Sequence, residues 1–389
     1  MAEKLFHLKE VGKYFHLPLT NRQALWLQEQ GIADVSPSPR EGCFNVSVKQ
    51  VAGQVSFEGA TFSIAPKLPV RSVIWMVQQA YVPLKWKGEN TPLNQESLIC
   101  AMAQLYRNLV EGVLVGGLLQ GYVSVQERSS VLRGRLLLTE QLNRHYGNLY
   151  PFETSYQKFG VNIPVNQVLL TAAVHLMHLL EQDGRFSDEV LAYRRFIQCF
   201  DGVQPLVPGQ VVPEVVFTRL NQHYEQVFRW AVMVLQQIGF SATTGLHQGA
   251  GFVVNMATVF EAMVGNILVS HYPVGTVQLQ RQERFARVQG SDAKGKPSRL
   301  DVVRLSEGRV CEVLDTKYRR AEVETSELYQ LNAYGEMYGL DEVSLVYGQP
   351  VEEIIYEVSS GCRRIRVRGI DLTLEPEEII EQVVGLFSP

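Results

Sequence analysis

Along the 389-residue chain the spacing of apolar and polar positions changes twice, and each change marks a new kind of element. Between Cys43 and Pro66 short β-type runs at 44–48, 54–57 and 60–65 are separated by glycine or proline, which predicts small antiparallel strands. From about 95 to 245 apolar residues recur every three or four positions, over 98–114, 165–180 and 220–238, and predict amphipathic or buried helices. Inside that helical middle, 116–138 mixes glycines with alternating β-branched residues and carries Arg128, Arg133 and Arg135, a pattern that reads as a hairpin.

The cluster of Gly, Ser and Thr at 239–245, followed by Gly249 and Gly251, breaks the helical period and predicts a hinge. Beyond it the pattern predicts a helix at 253–270, strands at 274–281, 300–305 and 310–318, a helix at 325–338 and a strand at 343–347. The expected fold is therefore α+β or α/β and multidomain. A β-rich domain spans 1–95, a mainly helical region with a hairpin spans 96–245, and a domain of order αβββαβ with a mixed sheet spans 246–389. No repeat of fixed period is present.

Composition excludes some classes and leaves others. With 46% hydrophobic and 20% charged residues the chain is neither disordered nor low-complexity. The net charge of −4 argues against a uniformly basic nucleic-acid coat, but the charge is uneven. Residues 281–320 hold eleven Lys/Arg against six Asp/Glu, whereas 321–362 hold nine acids and no base. A second basic run follows at Arg363, Arg364, Arg366 and Arg368, so a groove that binds a phosphate backbone is expected in this part of the chain. The five cysteines lie at least 51 residues apart, which fits neither a zinc pair nor a disulfide framework and points to a reducing compartment. No leader segment and no apolar run of roughly 18 residues is visible, so a cytoplasmic protein without membrane association is expected.

The chemistry concentrates in the last third. Asp301 opens one short strand and Asp315 sits near the end of the next, and a hairpin would bring them together. Because side chains alternate along a strand, Asp315 and Lys317 share a face. Two carboxylates and an amine in this arrangement suit Mg²⁺, or Mn²⁺ in its place, and the hydrolysis of a phosphodiester. Glu261 belongs to an apolar helical stripe, where a carboxylate needs a partner or a metal, and is a candidate third acid. Gln330 and Tyr334, at i and i+4 of a helix, could orient the metal site or a phosphate, and Arg299, Arg319, Arg320 and Tyr334 are candidate DNA contacts around it. Taken singly, Asp301, Asp315 and Lys317 also suit a surface salt bridge, Glu261 a snorkelling or capping position, Gln330 and Tyr334 a plain amphipathic helix, and the basic zone a solvated loop. Two further patterns carry little. Residues 290–297 nearly spell a phosphate-binding loop, but Pro297 replaces its Ser/Thr, and His175 with His178 has no acidic companion motif.

The set Glu261, Asp301, Asp315-x-Lys317 and Gln330-x-x-x-Tyr334 on an αβββαβ order resembles the PD-(D/E)XK nuclease superfamily, in its RecB-like branch. Further blocks at 117–122, 132–135, 162–166, 252–256 with 260–261, and 314–318 resemble the McrC family, and they run from about 105 to 338. The resemblance implies the Mg²⁺-dependent endonuclease subunit of a McrBC-type restriction system for antiviral defence. It also implies a partner, a McrB-like AAA+ GTPase hexamer that the N-terminal and middle parts contact and stimulate. The substrate implied is double-stranded DNA carrying a modification. By carry-over, Asp301 and Asp315 are metal ligands, with Glu261 the candidate third, Lys317 is the catalytic lysine, and Glu261 and Gln330 support them; Leu300 stands where the superfamily name has Pro. A stand-alone RecB-like nuclease and a non-catalytic GTPase-activating adaptor are the alternatives.

Overall fold

The fold comes from a computed structural model that describes residues 4–82, 97–146, 148, 150–207, 210–238, 250–288, 291–358 and 363–387, without the side chains of 237–238, 250 and 284–297. The first elements are β1 (Lys4–Lys9), β2 (Lys13–Leu17), α1 (Asn21–Glu29), β3 (Ala33–Pro37), β4 (Phe44–Val48), β5 (Val51–Phe57), β6 (Ala60–Ala65) and α2 (Val70–Tyr81). Then come α3 (Leu98–Leu114), β7 (Gly121–Ser129), β8 (Arg135–Leu136), α4 (Leu138–His145), β9 (Phe152–Gly160), α5 (Pro164–Asp183), α6 (Ser187–Ile197) and α7 (Glu225–Ile238). The last part holds β10 (Ala250–Asn255), α8 (Met256–His271), β11 (Val277–Val288), β12 (Ser291–Ser306), β13 (Arg309–Lys317), α9 (Thr325–Tyr338), β14 (Glu342–Tyr347), β15 (Ile354–Glu357), β16 (Arg364–Gly369) and α10 (Pro376–Val384). The fold is mixed α and β with several sheets.

Two compact units result, one made of 1–102 with 243–389 and the other of 103–242. In the second unit α5 packs with α6 and α7, and the Tyr106 hydroxyl donates to the Leu169 carbonyl at 2.8 Å. Its sheet has the order β7-β9-β8, so the expected hairpin of 116–138 is not one: β7 and β8 each pair with β9, which lies between them. The expected helix at 220–238 begins only at Glu225, because Asn221 Oδ1 accepts the Thr218 backbone N–H at 2.6 Å and closes a turn first. The hinge expected at 239–245 lies outside the described residues.

The first unit joins the two ends of the chain. A four-stranded sheet β1-β6-β5-β10 is completed by a strand from far along the sequence, since β10 runs antiparallel to β5 with Val253 opposite Gly53. The helix expected from 253 therefore starts later. Val253 and Val254 are strand residues, and Asn255 caps α8 by accepting the N–H groups of Ala257 and Thr258 at 3.0 and 3.2 Å. The N-terminal segment, expected to be β-rich, also carries two helices. Thr20 and Gln23 form a capping box for α1, and α2 buries Val73, Ile74 and Val77.

The second large sheet has the order β11-β12-β13-β14-β16-β15. It is antiparallel from β11 to β13, parallel through β14 and β16, and antiparallel again at β15. Its core of Leu300, Val303, Val313, Leu345, Ile365 and Val367 packs on Leu331 and Tyr334 of α9. That helix is held at its start by a capping box between Glu324 and Glu327 and at its end by Gly339 at φ 66°. From α8 to β14 the elements run helix, three strands, helix, strand, in the order the apolar pattern predicts.

Gly53 makes the junction of the chain ends possible. Its φ of 137° is one that side chains rarely adopt, and a Cβ there would come within 2.1 Å of the Phe252 carbonyl oxygen. Gly53→Ala should cost at least about 2 kcal/mol from strain and overlap together. Urea unfolding checks this, and a midpoint equal to wild type would mean that β10 does not pair there.

Candidate active site

A two-residue turn and a bulge build the site. Glu307 and Gly308 have φ of 51° and 77°, the geometry of a tight hairpin turn, and Ser306 pairs with Arg309 across it. Between Leu305↔Val310 and Arg304↔Glu312 the register shifts by one residue, so Cys311 is the extra residue of a bulge. The ladder then runs Val303↔Val313 and Val302↔Leu314, and one step further sets Asp301 opposite Asp315. On the other side β11 runs antiparallel to β12 with Leu279↔Val302 and Arg281↔Leu300, which sets Gln280 beside Asp301.

Asp315 is 4% exposed. Burial, then the charge of Asp301, push its carboxyl up to about 6, although Lys317 pulls the other way. The Lys317 ammonium lies 2.5 Å from Asp315 Oδ2. Burial lowers the Lys317 pKa, but Asp315 and then Asp301 more than reverse this, and the net shift is upward. Asp301 Oδ2 accepts the backbone N–H and the hydroxyl of Thr316 at 2.8 and 3.0 Å. Glu261, on α8, is half-buried. Its carboxyl is raised by burial and by Asp301, and lowered in part by the Gln280 amide, Arg299 and Lys317. Gln280 Nε2 donates to Glu261 Oε1 at 2.9 Å, and the Arg299 guanidinium is 3.7 Å from the same oxygen. Glu261, Asp301, Asp315, Lys317 and Arg299 thus lie within electrostatic reach of one another.

Gln280 is a member that sequence reasoning missed. It is a non-glycine strand residue at φ 50°, and nothing in its neighbours in sequence signals that conformation. Gln330 lies on the exposed side of α9, and its amide donates to the Tyr334 hydroxyl at 2.6 Å. That hydroxyl accepts from Ser298 at 3.0 Å and donates to the Arg299 carbonyl at 3.3 Å. The pair therefore fixes the backbone two residues before Asp301.

Several expected DNA contacts are placed differently. Tyr334 is 4% exposed and part of the core, so its ring cannot reach a duplex and its part is positional. The Arg319 guanidinium is taken up by Glu327 at 2.8 Å, Glu324 at 3.1 Å and the Glu322 carbonyl at 2.8 Å. Arg299 and Arg320 are exposed. The side chains of Arg284, Arg287, Lys294 and Lys296 lie outside the described residues, as does Gly290 of the loop-like segment, and the backbone from Ser291 onward is strand. Ile365 and Val367 share the core face with Val313, and Asp315 follows Val313 at an interval of two. Arg364, Arg366 and Arg368 alternate to the opposite face, tied to Glu342, Glu353 and Ser344, and form no trough with Asp315.

Among the described residues no three His, Cys, Asp or Glu side chains lie close enough to hold a metal ion by themselves. The donor chemistry nevertheless fits Mg²⁺ or Mn²⁺ held by two carboxylates and water. Asp301 and Asp315 raise the free energy of each other's charge, a divalent ion removes that cost, and the Lys317 ammonium supplies the positive charge at Asp315. Among the described residues no helix is long and apolar enough to cross a membrane, and Cys43, Cys199 and Cys311 are in no disulfide.

The family model described as McrBC 5-methylcytosine restriction system component matches residues 46–348. Among solved structures, the chain is similar to one in the refined half-complex from a tetradecameric assembly of Thermococcus gammatolerans McrB AAA+ hexamers with bound McrC. The TM-score is 0.60 and the identity 17%, over 99% of this chain and 100% of that one. It also matches a chain of the cryo-EM structure of the Thermococcus gammatolerans McrBC complex, at TM-score 0.40 and 18% identity, over 68% of this chain and 87% of that one. The first likeness shows a shared fold. A search of curated proteins gives no match.

The burial of Asp315 has a thermodynamic consequence. Its folded pKa of about 6 lies above the ordinary 3.8, so ionisation opposes folding. That contribution to stability is complete below about pH 4 and is lost as pH rises through 6, by up to about 3 kcal/mol. Asp315→Asn should therefore melt higher than wild type at about pH 7.5 in EDTA and show a flatter dependence on pH. A lower melting temperature both there and near pH 5 would contradict it.

Proposed function

This chain belongs to the family of McrBC 5-methylcytosine restriction system components, and from that premise we propose that it is the DNA-cleaving subunit, a Mg²⁺-dependent endodeoxyribonuclease of the PD-(D/E)XK type. The observation that carries this reading is the buried Asp315, bonded to Lys317 at 2.5 Å and set opposite Asp301 by the bulged hairpin. The helix-strand-strand-strand-helix-strand order around it is the one the resemblance implies.

Each side chain has a part in phosphodiester hydrolysis. Asp301 and Asp315 supply oxygen ligands, and Thr316 holds one Asp301 oxygen so that the other is left for a ligand. Bound there, the metal would lower the pKa of the attacking water and take up charge on the phosphate. Lys317, kept protonated by its acidic neighbours, stabilises the charge that develops on the scissile phosphate. Glu261, oriented by Gln280, shares the same field and is the supporting third acid. The Gln330–Tyr334 pair fixes the strand from which Asp301 projects. Arg299, exposed and 3.7 Å from Glu261, and Arg320, exposed three residues beyond Lys317, suit contacts to the DNA backbone.

The substrate this reading names is double-stranded DNA carrying a modified cytosine. The one segment that resembles a phosphate-binding loop enters a strand, so the nucleotide-driven motor is proposed to be a second chain, an AAA+ GTPase hexamer of the McrB type. Asp315→Ala and Lys317→Ala should each lower cleavage by at least about a hundredfold, the size of one strong transition-state contact. Stimulation of the partner's GTPase should persist in both. Gel assays of DNA cleavage with Mg²⁺, partner and GTP check this, and unchanged cutting by Asp315→Ala would remove the site from the reaction.

A further inference from the structure

The residue that follows Lys317 is gripped by side chains from the start of the chain. Tyr318 is 2% exposed, its ring lies 5.9 Å from that of Phe260, and a Cβ on Gly348 would come within 2.9 Å of its Cδ2. The ring has no slack on those sides. Over it stands the Lys67 ammonium, 3.7 Å from the ring centroid. A cation at that distance is drawn to the negative face of the ring. Lys67 is exposed, so it reaches Tyr318 without being part of the core.

Lys67 is itself held by Glu10. The parallel strands β1 and β6 end together, with Lys9 opposite Ala65, and the Glu10 backbone N–H donates to the Ala65 carbonyl at 2.8 Å. Glu10 is 5% exposed, and its Oε2 accepts the Lys67 backbone N–H at 3.0 Å. Its Oε1 and the Tyr318 hydroxyl are both buried without a hydrogen bond of normal geometry, yet the two groups act on each other's ionisation. Burial pushes the Glu10 carboxyl up; burial and then the Glu10 charge push the phenol up. A buried acid, a cation and a ring therefore meet one residue from the lysine of the site.

We propose that Glu10 and Lys67 are positioning residues for Lys317, clamping Tyr318 and with it the backbone from which the lysine reaches Asp315. This rests on the nuclease reading above and extends it, because residues 246–389 do not complete the site alone. A lysine side chain has four rotatable bonds, so the 2.5 Å contact to Asp315 depends on where its backbone stands. The backbone at Lys317 is fixed on one side by the Gly348 N–H donating to its carbonyl at 3.1 Å, and on the other by the clamped Tyr318.

The test uses full-length Lys67→Met, which keeps the aliphatic stem, and Lys67→Arg, which keeps a cation. In metal-free protein the rate at which an amine-reactive reagent labels Lys317, read by peptide mass spectrometry, should rise about two- to fivefold in Lys67→Met, the factor set by one exposed cation–π contact. It should return toward wild type in Lys67→Arg. With Mg²⁺ and DNA, kcat should fall by a similar factor while KM stays unchanged. A Lys67→Met protein with wild-type melting temperature and wild-type Lys317 labelling overturns the inference. Should that variant fail to fold, Glu10→Gln decides in the same labelling assay, with faster labelling expected and an unchanged rate overturning it. If labelling shifts as expected but wild type cuts no DNA, the nuclease reading fails and the clamp on Lys317 stands.

Discussion

One extra residue in a strand decides whether two carboxylates of this chain meet on one face of a sheet. The turn at Glu307 and Gly308 starts a ladder that, left regular, would set Asp301 across from Leu314, a core residue 1% exposed. The two carboxylates would then project from opposite faces of the sheet, since a slip of one residue reverses every side chain. The bulge at Cys311 moves the register by one and sets Asp301 opposite Asp315. Lys317, two residues on, follows Asp315 onto the same face, and Gln280 on the next strand borders Asp301.

The resulting cluster stores electrostatic free energy. Asp315 is buried beside a second acid, and its high pKa measures how poorly the protein alone accommodates that charge. Lys317 offsets part of the cost, and two Thr316 donors hold Asp301 in place. A fold selected for stability alone would not keep this arrangement, and sites that bind cations or transfer protons commonly do. The neighbouring ion pairs do different work. Arg319 with Glu324 and Glu327 ties the start of α9 to the chain just after the site, and Arg366 with Glu342 laces the far face of the sheet.

Much of this was legible in the sequence because it is local. The period of two at Asp315-x-Lys317, the helical period over 325–338 and the β-type runs at 300–305 and 310–318 all concern neighbours along the chain. What stayed hidden is partner choice. Alternation marks a strand without saying what it pairs with, so neither the strand from Ala250 to Asn255 lying on β5 nor β9 lying between β7 and β8 could be read. The same holds for side chains. Tyr334 and Arg319 are residue types that touch nucleic acid, yet one is buried under β12 and the other is consumed by the acid-rich segment that follows it. Gln280, Glu10 and Lys67 carry no motif at all, and only their place in space connects them to the site.

The central claim is that Asp301 and Asp315 together bind one divalent cation. A titration of Mn²⁺ into the full-length protein, followed by electron paramagnetic resonance, tests it most directly. Saturable binding of about one ion per chain is expected for wild type, weakened by at least about tenfold in both Asp301→Asn and Asp315→Asn. No binding to wild type, or wild-type affinity in either variant, would contradict it.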